Sequence, residues 1–183
     1  MVKPVGYLIN TVDGLQGETG TFYQYILSAN GLFLQAENKH LAVTVCIAPQ
    51  VVRGLAPLEE TIQLLHGKVP MYLLGLALSI LCTKPDIEQY LAFTWQGRYG
   101  LEKPPQSQTA ASVIYETLPG TVLDIHSHVS SVPPHFSGID DRDEQGFCLY
   151  AVAGDLRNLF PAIALRLGVY GYFMPLKKED VFV

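Results

Sequence analysis

Only three cysteines occur in this chain, Cys46, Cys82 and Cys148, odd in number, far apart and without a CxxC pair. A disulfide framework and a thiolate metal knot are thereby excluded, and the three read as small core residues of a protein kept in a reducing compartment. Charge is also sparse, at 16% of residues, and its balance is acidic, with a net charge of -5 and a pI near 5.4. The basic footprint that nucleic-acid binding needs is missing, so DNA and RNA are disfavoured as partners. No apolar run reaches the length of a membrane span: the longest, residues 71–82, falls well short, and the first residues carry no charged-then-apolar leader. A cytoplasmic protein with no membrane contact is the expectation. Internal repeats and low-complexity tracts are absent as well.

What the chain has is hydrophobic residues, 49% of 183, enough for one substantial core or a compact catalytic domain with a smaller appendage. Residues 1–67 read as a β-rich N-terminal domain. Strands over residues 21–29 and 32–36 flank Asn30-Gly31, a dipeptide suited to a tight hairpin with positive φ, and a third strand over 41–48 completes an antiparallel meander. Residues 58–66 predict a short helix. Residues 68–183 read as a second domain of α+β class. It opens with an almost wholly apolar helix over 71–82, bounded by Pro70 and Pro85, that belongs in the core. An alternating strand over 87–95 carries Glu88 at its start. Residues 104–109 form a polar loop, residues 112–116 a short strand, and Pro119-Gly120 a turn into the β-branched strand 121–125; residues 147–152 and 162–173 complete the strand set.

Residues 126–140 hold the chemistry, with His126-Ser-His128 followed by Ser137-Gly-Ile-Asp140. Two histidines two apart on a strand project from the same face, so they can share one ion. Imidazole suits zinc, and catalytic zinc sites use three protein ligands with one position left open, so Asp140 is the third candidate ligand. Ser137, three residues before Asp140, has the spacing of a loop entering a helix, where a hydroxyl can cap and also face the metal. A hydrolase further needs a carboxylate that does not bind the metal, and Glu88 and Glu116 compete for that role, with Glu88 favoured. His135 is better suited to face substrate than to be a fourth ligand, and His40 and His66 are ordinary. Asp141, Asp143 and Glu144 read as the solvated face of a short helix rather than a second cation site.

Glu88, His126-x-His128 and Ser137-x-x-Asp140, in that order behind an apolar helix, resemble the JAMM or MPN-type (Mov34/PAD-1-like) zinc metalloproteases over roughly residues 68–175. Within the prokaryotic JAB-like branch the segments 112–115, 124–128, 136–144 and 149–154 look like the group called PRTRC system protein A. The resemblance implies a cytidine-deaminase-like JAB/MPN fold, a mixed β-sheet with flanking helices. It implies Zn2+ held by His126, His128 and Asp140, Glu88 as general acid and base, and Ser137 at the developing oxyanion. Its substrates would be peptide conjugates or ubiquitin-like proteins cleaved at a peptide or isopeptide bond, and a ThiF-like (E1-like) protein would be a partner. Two positions depart from the family pattern: Val129 stands for the usual proline, and the spacer from His128 to Ser137 is one residue longer, which a bulge can absorb. Two other readings compete. A catalytically silent MPN-type scaffold would bind a partner only, and a cupin would share Gly120 and His126-x-His128 but lacks the glutamate, where this chain has Val132-Pro133, and a second histidine motif. The N-terminal part would position substrate or dock a partner, and residues 104–116 would receive an extended peptide by strand addition.

Overall fold

The structure is a computed structural model and describes residues 3–110, 112–129 and 133–183. The chain is α+β, mostly strand, and divides into two compact units, residues 1–67 and 68–183. Among the described residues no helix is long and apolar enough to cross a membrane.

Unit 1 is a six-stranded mixed sheet in the order β2-β1-β3-β4-β5-β6. Its strands are β1 (Val5–Thr11), β2 (Gly14–Glu18), β3 (Tyr23–Ser28), β4 (Gly31–Glu37), β5 (Leu41–Pro49) and β6 (Thr61–Leu64). Alternation sends Leu8, Ile26 and Phe33 inward, where Cys46 and Leu58 pack against them. Three expectations are corrected. β1 and β2 join the sheet, and β1 runs parallel to β3, so the unit is more than a meander. The β3–β4 turn falls on Ala29-Asn30, one residue early. Gly31 already pairs with Ser28, at a φ of 151° where an added Cβ would lie 2.6 Å from the Ala48 carbonyl oxygen. The helix expected over residues 58–66 is instead strand β6, because a short segment has little helical stability of its own and the open edge of β5 offers it a ladder of backbone bonds. His40 is buried and its Nδ1 lies 3.1 Å from Nε2 of His66.

Unit 2 is built on a second mixed sheet, ordered β14-β13-β12-β11-β7-β8, with a separate hairpin of β9 and β10. The elements are α1 (Met71–Leu81), β7 (Tyr90–Trp95), β8 (Tyr99–Glu102), β9 (Gln106–Gln108), β10 (Val113–Tyr115), β11 (Thr121–Ser127), α2 (Asp140–Asp143), β12 (Phe147–Gly154), β13 (Ala162–Val169), β14 (Tyr172–Leu176) and α3 (Lys178–Val181). β11 pairs antiparallel with β7 and parallel with β12. One sheet face is apolar, with Leu91, Phe93, Leu123, Ile125, Leu149 and Leu167 fully buried. The other carries Tyr90, Asp124, His126, Tyr150 and Arg166 in register across four strands. A single antiparallel jelly roll, the cupin architecture, does not describe this sheet.

Several boundaries differ from the sequence expectation. α1 buries Leu73, Leu74, Ala77 and Leu81 but leaves Tyr72 69% and Leu76 47% exposed, so it is buried on one side only. β7 starts at Tyr90, two residues beyond Glu88, and the polar loop over 104–109 contains β9. The single strand expected over 162–173 is a hairpin. Tyr170 and Gly171 have φ of 49° and 89°, the paired positive values that a two-residue turn of matching twist demands.

Polar side chains finish what the backbone leaves open around β7. Fully buried Gln89 donates from Nε2 to the Leu81 carbonyl at 2.8 Å, closing the last turn of α1, and its Oε1 accepts from Nζ of Lys103 at 3.0 Å. Its backbone N–H donates to Ser127 Oγ, and Gln89 O accepts from the Ser127 N–H, which extends the β7–β11 ladder past Tyr90. Where β8 has ended, the Gln106 side chain takes the place of a strand: Oε1 accepts from Tyr90 N at 2.8 Å and Nε2 donates to Tyr90 O at 3.0 Å. Gln89→Ala removes its bonds to the Leu81 carbonyl, which keeps the Lys84 N–H at 3.3 Å, and to the exposed Lys103 ammonium, and is expected to cost about 0.5–1.5 kcal/mol of unit 2 stability. Urea denaturation measures it; an unchanged midpoint would refute that account of the junction.

Candidate metal centre

Because β11 lies between two strands, its register is fixed on both sides, and alternation turns Asp124, His126 and the following His128 to one face. The His128 N–H donates to the Ala153 carbonyl at 2.9 Å, so the ladder with β12 holds the second histidine although the strand has formally ended. Nε2 of His126 lies 3.3 Å from Nε2 of His128 and 3.2 Å from Oδ1 of Asp140. Oδ2 of Asp140 is 3.8 Å from Nε2 of His128. A tetrahedral ion with ligand bonds of about 2.0–2.1 Å separates its ligand atoms by about 3.3 Å, so the two nitrogens, and His126 with Oδ1, already sit at the spacing of a small divalent cation, while the pair of His128 and Oδ2 is wider. Among the described residues this is the group of three whose donor atoms lie within 4.8 Å of one another, and it could hold a metal ion.

Asp140 reaches this point through a reciprocal cap. The Ser137 N–H donates to Oδ2 of Asp140 at 2.5 Å, while Ser137 Oγ accepts from the N–H groups of Ile139 and Asp140 at 3.2 and 3.3 Å. A serine and an acid three apart make that box, and it starts the turn of α2. The Ser137 hydroxyl has one proton of its own to donate. Part of the long spacer before Ser137, residues 130–132, with the bulge expected there, lies outside the described residues.

A cleft of about 400 Å³ opens over the cluster, and Glu88, His128, His135, Ser137 and Asp140 are among the residues lining it. The extended β7–β11 register brings Glu88 opposite His128 on the face of the ligands, and its N–H donates to Thr109 O at 2.9 Å. Glu88 lies outside the ligand group and lines the cleft, as do Val113 and Tyr115 of β10. Glu116 is exposed and is not among the residues that line the cleft. His135 is exposed at the rim, its ring 5.1 Å from that of His128 and its Nδ1 3.1 Å from the Pro133 carbonyl.

Burial and the neighbouring His126 hold the His128 imidazole below its ordinary pKa, which favours the neutral form a metal requires. Burial alone would push the Asp140 carboxyl up, but the bond to His126, that residue's charge and the Ser137 contacts outweigh it and hold the group well below the usual carboxylate range. Burial raises Glu88, the His126 charge partly offsets this, and Asp140 adds to the rise. One carboxylate is thus kept ionised for binding and another is made a better proton acceptor by the same small region.

Glu144 and Arg166 carried no spacing signal in the sequence, whereas the strand's period of two links Asp124 to His126. Glu144, expected on a solvated face with Asp141 and Asp143, is buried; the other two are exposed. Its Oε1 lies 3.7 Å from Nδ1 of His126, and Oε2 accepts from Nε and Nη2 of Arg166 at 3.1 and 2.7 Å. Burial pushes the Glu144 carboxyl up to about 7 against the opposing Arg166. Asp124, two residues before His126, is buried beneath the site and accepts from the Tyr90 hydroxyl. The Tyr90 ring in turn stacks on Tyr115 of β10, with centroids 3.4 Å apart and planes 9° from parallel.

Compared with known proteins, the chain matches no family model and no curated sequence. The donor geometry therefore has to be tested directly. A divalent ion at 100 times its Kd is expected to raise the unfolding free energy of unit 2 by about 2.7 kcal/mol. His126→Ala and Asp140→Ala are expected to abolish that gain; denaturation with and without the ion, read against a chelated control, measures it.

Proposed function

We propose that unit 2 is a zinc-dependent hydrolase of JAMM/MPN type that cleaves peptide or isopeptide bonds in a peptide-conjugate or ubiquitin-like protein substrate. One observation carries this reading: Nε2 of His126 and Nε2 of His128 lie 3.3 Å apart, each faces one oxygen of the Asp140 carboxylate, at 3.2 and 3.8 Å, and the cleft they line is also lined by a further carboxylate, Glu88. His126, His128 and Asp140 would hold the ion, and two nitrogens with one carboxylate oxygen is a donor set that zinc favours. Bound zinc would supply Lewis acidity, polarising the scissile carbonyl and bringing water ionisation towards neutrality.

The chain's own groups do the rest. Glu88, with its pKa raised by burial, takes a proton from the attacking water and returns it to the leaving nitrogen. Ser137, whose oxygen is already bonded twice, donates its hydroxyl proton towards the carbonyl oxygen as negative charge grows there. An extended substrate finds a strand edge in β10, which lines the cleft through Val113 and Tyr115 and pairs with β9 in a hairpin of its own. Backbone pairing there would select an extended tail more than any one side chain, as a ubiquitin-like C-terminus or a peptide conjugate requires. A ThiF-like partner follows from the motif resemblance, and three free cysteines support a reducing, cytoplasmic setting.

Elemental analysis joined to a cleavage assay on fusions carrying ubiquitin-like tails tests the reading. Glu88→Gln is expected to keep zinc and lose turnover by about 10²–10⁴, whereas Asp140→Ala loses the metal itself. Full turnover in Glu88→Gln removes that residue from the proton-transfer role, and purified protein that takes up no zinc turns the reading to a silent scaffold.

A further inference from the structure

Arg166 lies on β13, two strands away from the histidines, and does not line the cleft. Its register partner on β12 is Tyr150, on the same side of the sheet as His126, so its side chain rises from the site's face. There it is buried, at 5% exposure, an unusual state for arginine that requires every part of the group to be satisfied. Nε and Nη2 donate to Oε2 of Glu144, and Nη1 donates to Oδ1 of Asp141 at 2.5 Å. Two aromatic rings pack against the group as well: the guanidinium carbon sits over both, 3.9 Å from the centre of the Phe136 ring and 3.8 Å from that of Phe173.

Three of these four neighbours belong to one stretch of chain. Phe136 precedes Ser137, Asp141 follows Asp140, and Glu144 ends the turn. The fourth, Phe173, is on β14, which pairs with β13. We propose that Arg166 is a positioning residue of the metal centre: its guanidinium clamps the segment from Phe136 to Glu144 onto β13 and β14 and thereby fixes where Asp140 meets His126 and His128. The effect on the ion rests on the zinc reading above; the clamp itself does not. A single ion pair would leave the segment free to pivot. A planar fork with donors to two carboxylates and two aromatic rings packed against it removes that freedom, and it also sets Glu144 beside Nδ1 of His126, the nitrogen turned away from the ligand cluster. Lysine offers a point charge without the plane or the fork, so it cannot reproduce the arrangement.

An ordinary buried ion pair would stabilise the fold and do nothing specific to the ion, and the neighbouring Leu167 supplies the control. It is fully buried and points to the opposite, apolar face of the same strand. In chelator competition, Arg166→Lys is expected to weaken zinc binding by about 10–100-fold, whereas Leu167→Ala loses stability and keeps the wild-type Kd. In the metal-free protein, amide hydrogen exchange is expected to quicken in Arg166→Lys at Asp141, Arg142, Asp143 and Glu144, whose N–H groups close the turn, and to stay unchanged along β11 and β12. Wild-type zinc affinity in Arg166→Lys, or equal weakening in Leu167→Ala, overturns the positioning role. Wild-type protein that takes up no zinc sinks the metal reading instead, and unchanged turn amides in metal-free Arg166→Lys overturn the clamp on their own.

Discussion

Parallel pairing of β11 with β12 is the constraint from which the site follows. Antiparallel neighbours can be joined by a two-residue turn, but parallel ones require the chain to travel back over the sheet before the second strand begins. Here the described part of the return path, residues 133–146, lies over the face on which alternation has placed His126 and His128. Ser137 and Asp140 lie on that path. The topology therefore delivers a carboxylate to two imidazoles, and local chemistry has only to stop it at the right place.

Local chemistry does so with groups that are costly to bury alone. Two imidazoles, Asp140, Glu144 and Asp124 share one face of a sheet whose other face is hydrocarbon, and each is held by a named neighbour. Burial would protonate isolated carboxylates, yet Asp140 is kept ionised by His126 and Ser137 while Glu88, with fewer partners, drifts upward. Division of labour between the two acids comes from their surroundings alone. The same logic explains a buried arginine beside the site: an ordered acidic turn needs a counter-charge that cannot be hydrated away.

How much of this could be read from the residues depends on whether the signal was local. His126-x-His128 is legible because a strand's period of two puts both imidazoles on one side, and Ser137-x-x-Asp140 because a cap has a fixed span. Glu88 shares the parity of Tyr90, so its face could be inferred, although β7 begins three residues later than expected. Glu144 and Arg166 left no trace, since a contact between residues 22 apart has no spacing rule and an acidic run next to a turn looks solvated. In unit 1 the helix expected over residues 58–66 yielded to an edge strand because the deciding partner, β5, lies far away in sequence. The Tyr170-Gly171 hairpin was within reach: a glycine inside a long β-rich run is a turn signal, and here it is one.

The Gln106 amide, which takes and gives a bond at Tyr90 where β8 has stopped, has a consequence for how this kind of fold can diversify. A strand seated through its own ladder must keep its length and phase, since a slip of one residue inverts every side chain it carries. The β9–β10 hairpin meets the frame at a few points instead, the Gln106 amide and the Tyr115 ring at Tyr90 and the Thr109 carbonyl at Glu88, and the chain between β8 and Gln106 is under no such rule. Residues could be added or removed between β8 and that glutamine, and the six-stranded frame would not register the change. Reach, shape and affinity of the flap over the cleft are thus separable from the integrity of the scaffold beneath, so selection can rework one while leaving the other alone.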